Sequence, residues 1–172
     1  MLFGGYRHPQ FMRYLSLGFF LVVACTSNRS DTASPESAGD RAAIARTWDR
    51  YMVHARAVNA DSVATFYTSN ATLFEPGIFP IVTRDSIRAF MGSFPGVRVD
   101  SATAPADTIE VYGNTAYLWG SYFEKLAFPG QPESQQHGRF VIQWVKQPDG
   151  AWLIHRFYRV PEPPRSPGPA AK

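Results

Sequence analysis

From Gly138 to Val160 the chain alternates apolar and polar residues in two runs that flank Pro148-Asp149-Gly150. Phe140, Ile142 and Trp144 fall on one side of the first run, opposite Arg139, Val141 and Gln143, the period of two that marks a strand. Asp-Gly between such runs signals a hairpin, because glycine tolerates the positive φ of a tight reversal. On the second run Trp152, Ile154, Arg156 and Tyr158 share one face, and Leu153, His155, Phe157 and Arg159 share the other. Both faces mix aromatic and basic residues. Periodicity therefore leaves open whether His155 or Arg156 points inward.

Upstream the period changes. Ile44, Trp48, Tyr51, Met52, Ala55 and Val58 recur at helical spacing, which predicts a helix over about residues 40–59 with Arg46, Asp49, Arg50 and Arg56 off its apolar stripe. Asp61 is placed to cap a short helix running through Tyr67, and Thr83 or Asp85 to cap a third over about 84–92 that buries Ile87. Asn70–Glu75 reads as a brief strand stopped by Pro76-Gly77. Residues 97–100 and 108–112 read as extended around a bend at 101–107. Gly113-Asn114 then turns into a strand over 115–128, where Tyr117, Trp119, Ser121 and Phe123 share a face. Helices first and antiparallel strands afterwards predict an α+β domain, a strongly curved sheet wrapped around the long helix.

The ends of the chain lack this patterning. Arg7 and Arg13 precede an apolar run, Leu15–Ala24, that at about ten residues is too short to span a bilayer as a helix. Val22-Val23-Ala24-Cys25 resembles a bacterial lipobox, so residues 1–24 read as a lipoprotein signal peptide and Cys25 as the lipidated mature N-terminus. Residues 25–39, rich in Ser, Thr, Pro and Gly, read as a tether. Residues 40–160 form the domain, and 161–172 a proline-rich tail. The expected location is the bacterial cell envelope, held to a membrane by lipid alone.

Charge and composition then narrow the chemistry. The net charge is +3, and removing residues 1–24 takes away two arginines and no acid, leaving +1. A near-neutral domain gives no electrostatic case for binding nucleic acid. The single cysteine excludes an intrachain disulfide and a cysteine-based metal cluster, and the four histidines lack metal-ligand spacing. Phosphate-cradling glycine loops and nucleophile elbows are missing from the sequence, so neither a metal nor a cofactor is expected.

Several short stretches, taken in order, resemble the nuclear transport factor 2-like superfamily with its SnoaL-like and ketosteroid isomerase-like members. They are Trp48 and Tyr51, Asp61–Tyr67 before Asn70-Ala71-Thr72, Pro76-Gly77, Arg84–Ile87, Gly113–Tyr117, Gly138-Arg139-Phe140 and Asp149–Trp152. The resemblance spans about residues 41–160 and is nearest the secreted branch of that superfamily. It implies a cone-shaped, curved antiparallel sheet around a long N-terminal helix and two short ones, with an apolar pocket at the open end. Trp48, Trp119, Phe123, Phe140, Ile142 and Trp144 are the expected core and pocket lining.

The resemblance also implies a site. Tyr51 and Glu75 match positions where ketosteroid isomerase-like enzymes carry an oxyanion-hole tyrosine and a carboxylate base, the division of labour for which such isomerases are a standard example. The second oxyanion donor of that family is an acid, and Gly138 stands in its place, with His155 or Arg156 as replacement polar groups. Two readings follow. One is a lipid-anchored module whose cone binds a small apolar or amphipathic molecule or a partner protein. The other is a cofactor-independent isomerase, cyclase or dehydratase with Glu75 as base and Tyr51 as donor. A homodimer is expected through the outer sheet face, with Tyr122 and Phe157 on it.

Overall fold

A computed structural model describes residues 35–163. The expected signal peptide, Cys25, most of the expected tether and residues 164–172 of the expected tail lie outside the described residues.

Helix α1 runs from Pro35 to Arg56 and so begins five residues inside the expected tether. The N–H groups of a first helical turn have no acceptor within the helix, so a proline there costs little. The apolar stripe is where periodicity put it: Ile44, Trp48, Tyr51 and Met52 are buried. Helix α1 is also fastened to carbonyl oxygens at two-turn intervals. Arg41 Nε donates to Ile109 O at 3.1 Å, Trp48 Nε1 to Ala104 O at 2.8 Å and Arg56 Nε to Ala102 O at 2.9 Å. The helix ends there, and Val58 takes φ 52°, turning the chain.

Helix α2 is Ala60–Ala64, capped by Asn59, whose side chain accepts from Ser62 N at 3.0 Å. Tyr67, expected in that helix, instead opens strand β1 (Tyr67–Phe74). After a two-residue β2 (Ile81–Val82), α3 (Arg84–Met91) is capped by Thr83 and buries Ile87 completely. Strands β3 (Arg98–Thr103) and β4 (Ala106–Tyr112) are separated by Ala104-Pro105 and pair with different halves of β5 (Thr115–Ala127). Pro105 has no N–H to give a ladder, which accounts for the break. Strands β6 (Ser134–Lys146) and β7 (Trp152–Pro161) form the hairpin, closed by Gly150 at φ 85°.

The seven strands make one sheet in the order β2-β1-β7-β6-β5-β3, with β4 also on β5. Every pair is antiparallel except β1 with β7, which run parallel. That pair departs from the expected all-antiparallel sheet. The two strands are joined by most of the domain rather than by a tight turn, which leaves their relative direction free.

A register shift in the hairpin decides the faces of β7. Gln143 pairs with Arg156 and Trp144 with Ile154, so His155 is an extra residue, a bulge. Trp152, Ile154 and Phe157 consequently all point into the core. On β5 the buried residues are Ala116, Leu118, Gly120 and Tyr122, which alternate with half-buried Tyr117, Trp119 and Phe123 on the outer face. Among the described residues no helix is long and apolar enough to cross a membrane.

Candidate functional site

The concave face of the sheet and the C-terminal half of α1 enclose an open cavity of about 670 Å³. Helix α1 contributes Trp48, Tyr51 and Met52 to its wall, and the sheet contributes Tyr122, Phe140 and Phe157. Phe90, Phe94 and Phe128 lie along its outer part, with Ile78 from the turn after β1. Trp48 stacks on Tyr51 with ring centroids 4.9 Å apart, and its ring also meets Phe140 at 5.2 Å. Small residues on the inner face of the sheet make room for this. A Cβ at Gly120 would run into the Pro105 carbonyl and the Phe140 ring.

Three charged side chains stand in this apolar wall. Glu75 follows the last residue of β1, just before Pro76-Gly77 turns the chain away, and Glu124 lies on the inner face of β5. Arg159 of β7 bridges them: Nη1 is 3.4 Å from Glu75 Oε1 and Nη2 is 2.6 Å from Glu124 Oε2. The guanidinium carbon also sits 4.2 Å from the centroid of the Tyr122 ring, close enough for cation–π attraction.

Burial lifts the Glu75 carboxyl above its usual value, and the nearby Arg159 charge offsets this only in part. For Arg159 burial disfavours the charge, but Glu124 and Glu75 outweigh it and hold the guanidinium firmly protonated. Glu75 Oε2 takes no hydrogen bond among the described residues. Glu75 is the carboxylate of the two with the longer arginine contact.

Deeper in, the Tyr51 and Tyr67 hydroxyls are 3.2 Å apart. Burial raises the Tyr51 phenol to about 12 and the Tyr67 phenol well above its usual value, so both stay protonated at neutral pH. Each phenol has one proton and the pair shares one hydrogen bond. One O–H of the two is left to donate elsewhere.

The structure brings Tyr51 and Glu75 to the same cavity, together with Trp48 and Phe140. It does not bring the other expected residues there. Trp119 and Phe123 are on the outer face, because the inner positions of β5 are the small or branched Ala116, Leu118 and Gly120 that fit against the core. Ile142 and Trp144 do point inward but are wholly buried in packed core and do not line the cavity. Trp144 Nε1 is a buried donor without a partner among the described residues. His155 sits outside at the bulge, where Nδ1 is 3.2 Å from Thr68 Oγ1, and Arg156 beside it bonds Gln143. Tyr122 and Phe157, expected on the outer face, are 6 % exposed and line the cavity.

Arg159, Glu124 and Tyr67 are the members of the site that sequence reasoning passed over. Arg159 shared a face with Phe157 in the alternation and could have been found from that. Glu124 could have been found from Tyr122 two residues earlier, had the inner face of β5 been known. Gly138 admits no side chain at all: a Cβ there would overlap the Val160 carbonyl oxygen and lie 2.9 Å from the Tyr122 ring. Among the described residues no group of three or more His, Cys, Asp or Glu could hold a metal ion.

Solved structures share this fold. A ketosteroid isomerase-like protein from Erwinia carotovora atroseptica SCRI1043 superposes with a TM-score of 0.64 at 17 % identity, over 77 % of this chain and 100 % of that one. A nuclear transport factor 2-like superfamily protein from Salmonella enterica subsp. enterica serovar Typhimurium str. LT2 gives 0.65 at 17 % identity, over 78 % and 99 %. A candidate scytalone dehydratase from Novosphingobium aromaticivorans DSM 12444 gives 0.61 at 17 % identity, over 73 % and 85 %. At such identities the likeness is one of fold. No curated protein matches the chain in sequence. The profile of the SnoaL-like domain matches residues 36–158, nearly the whole of the described domain, and the chain belongs to that family.

Proposed function

We propose that the protein is a lipid-anchored envelope protein whose cavity binds a small hydrophobic or amphipathic molecule. The observation that carries this is the 670 Å³ cavity itself, walled by aromatic side chains with a few polar groups converging on one side. Ligand sites in proteins are commonly apolar concavities of this size with a small number of placed polar groups. The anchoring part of the reading rests on the lipobox resemblance around Cys25.

A second reading is favoured by one specific observation: a buried carboxylate with a raised pKa, Glu75, faces the same cavity as the Tyr51 phenol. In that reading Glu75 takes a proton from a carbon next to a carbonyl, and the tyrosine pair donates a hydrogen bond to the oxygen that gains charge. Glu75 then returns the proton to another carbon or to a departing hydroxyl, which leaves as water. The outcome is isomerisation, cyclisation or dehydration without a cofactor. The fold is shared with a ketosteroid isomerase-like protein and a candidate dehydratase, which supports the same class of chemistry.

One experiment tests both readings. Thermal shifts of the full chain are measured with apolar ketones, steroids, aromatic polyketides and fatty acids, wild type beside Glu75→Gln. A ligand that binds only the native state raises the melting temperature by mass action. Turnover of a hit by wild type and not by Glu75→Gln supports the enzyme. Equal stabilisation without turnover supports the binding module, and no hit in the panel sinks the small-molecule reading.

A further inference from the structure

The buried ionic cluster of the cavity is electrically unbalanced. Glu75 and Glu124 are 15 % and 22 % exposed, and they share one guanidinium, that of Arg159, itself 16 % exposed. Both terminal nitrogens of Arg159 are already engaged, one by each carboxylate. Two further charged side chains on the lining, Arg56 and Glu162, bond to other partners, and His137 also lines the cavity. Arg56 donates to the Ala102 carbonyl at the exposed end of α1, and Glu162 pairs with Arg139 at 3.1 Å. The buried cluster itself therefore holds two carboxylates against one guanidinium, and a charge left incompletely compensated away from water is costly.

Two further observations point to a ligand that completes this wall. The faces of aromatic rings attract cations, and Trp48, Tyr51, Phe140 and Phe157 cluster in the lining with centroids 4.9 to 6.2 Å apart. The Tyr51–Tyr67 pair also holds one phenolic proton with no acceptor among the described residues, although Tyr51 is only 4 % exposed and faces the cavity. A buried donor of that kind implies a polar group not belonging to the protein.

We propose that the cavity is built for an amphipathic amine, its protonated nitrogen seated against Glu75 and Glu124 and its apolar body laid along Trp48, Phe140 and Phe157. The inference rests on the small-molecule reading above and names the charge of the ligand. A cationic head supplies the missing positive charge, and an anionic head would add a third negative charge to the same wall.

The test is calorimetric titration of the full chain at neutral pH with three probes of one tail length, decylamine, decan-1-ol and decanoate, below their aggregation concentrations. The amine is expected to bind about tenfold more tightly than the alcohol, as a charge-assisted hydrogen bond would give, and decanoate to bind most weakly. Glu75→Gln and Glu124→Gln each bring the amine to within about threefold of the alcohol, a difference of well under one decade in Kd. Binding of the alcohol by each variant shows that it is folded. Alcohol bound as tightly as amine, decanoate bound best, or an amine preference that survives in both variants overturns the proposal while leaving a binding cavity. No binding by any of the three overturns the small-molecule reading as well.

Discussion

Glu75 and Arg159 are lateral neighbours across the parallel strand pair. Phe74 at the end of β1 pairs with Tyr158 of β7, so the residues that follow them, Glu75 and Arg159, meet 3.4 Å apart. The Phe74 and Tyr158 rings stack 4.1 Å apart on one face while the ion pair turns to the other. The parallel pairing alone brings a residue of the first strand to the site built by the last hairpin.

Replacing Arg159 by methionine removes the only guanidinium between two mostly buried carboxylates. The loss is about 3 kcal/mol or more, as for breaking other buried pairs by removing one partner. Chemical denaturation at neutral pH measures it. Adding Glu75→Gln and Glu124→Gln to the methionine variant restores most of the stability. A variant that stays as unstable with both carboxylates gone would mean that Arg159 acts through packing.

The raised pKa of Glu75 has a definite signature. A carboxyl that binds its proton more tightly when folded than when unfolded makes the native state relatively more stable where it is protonated. Stability from this group is lost as pH rises from the usual value near 4.5 through the raised one. Melting curves of wild type and Glu75→Gln between pH 4 and 7 should therefore diverge in the variant's favour as pH rises. Parallel curves would contradict the raised pKa.

At the other end of α1, Asp40 clasps the final hairpin: it accepts from Lys146 Nζ at 2.9 Å and from Trp152 Nε1 at 3.0 Å. The bonds from Lys146 and Trp152 hold its carboxyl below the usual 3.8. Asp40→Asn is expected to cost about 1 kcal/mol at neutral pH. For a depressed carboxyl that difference is present above pH 4 and vanishes as pH falls through the lowered pKa. A difference that persists at pH 2 would assign the loss to the amide itself.

Gly138→Ala sets a new Cβ against the backbone oxygen of Val160, which cannot move without parting β6 from β7. A loss of about 2 kcal/mol or more in unfolding free energy is expected, within the usual range for forcing atoms into filled space. A neutral substitution would show that the end of β7 yields easily.

We propose, finally, that two copies associate through the outer sheet face, with Tyr117, Trp119 and Phe123 in place of Tyr122 and Phe157. Light scattering on the full chain should give a dimer that Trp119→Asp dissociates. A monomeric mass for wild type removes the idea. The lipid anchor proposed at Cys25 is tested by Cys25→Ala, which is expected to move the protein from the membrane fraction to the soluble one; unchanged partitioning removes the proposal.

The α+β order, the stripe of Ile44, Trp48, Tyr51 and Met52, and the Asp149-Gly150 turn could all be read along the chain, which also narrows the cap of α3 to Thr83 or Asp85. Each depends on residues a few positions apart, and local sterics and side-chain spacing carry that information. Tyr51 and Glu75 were reached through family resemblance, not through any pattern in the residues themselves. What the tertiary structure alone decided is which sides of the strands face in. One bulge at His155 brings Trp152 and Ile154 to the same side as Phe157 and Arg159, and the small residues of β5 turn Trp119 and Phe123 outward. A shift of one residue reverses every side chain beyond it, and the partner strand that sets the shift is distant in sequence. The bridge from Glu75 through Arg159 to Glu124 depends on three strands meeting, and no stretch of the chain contains it.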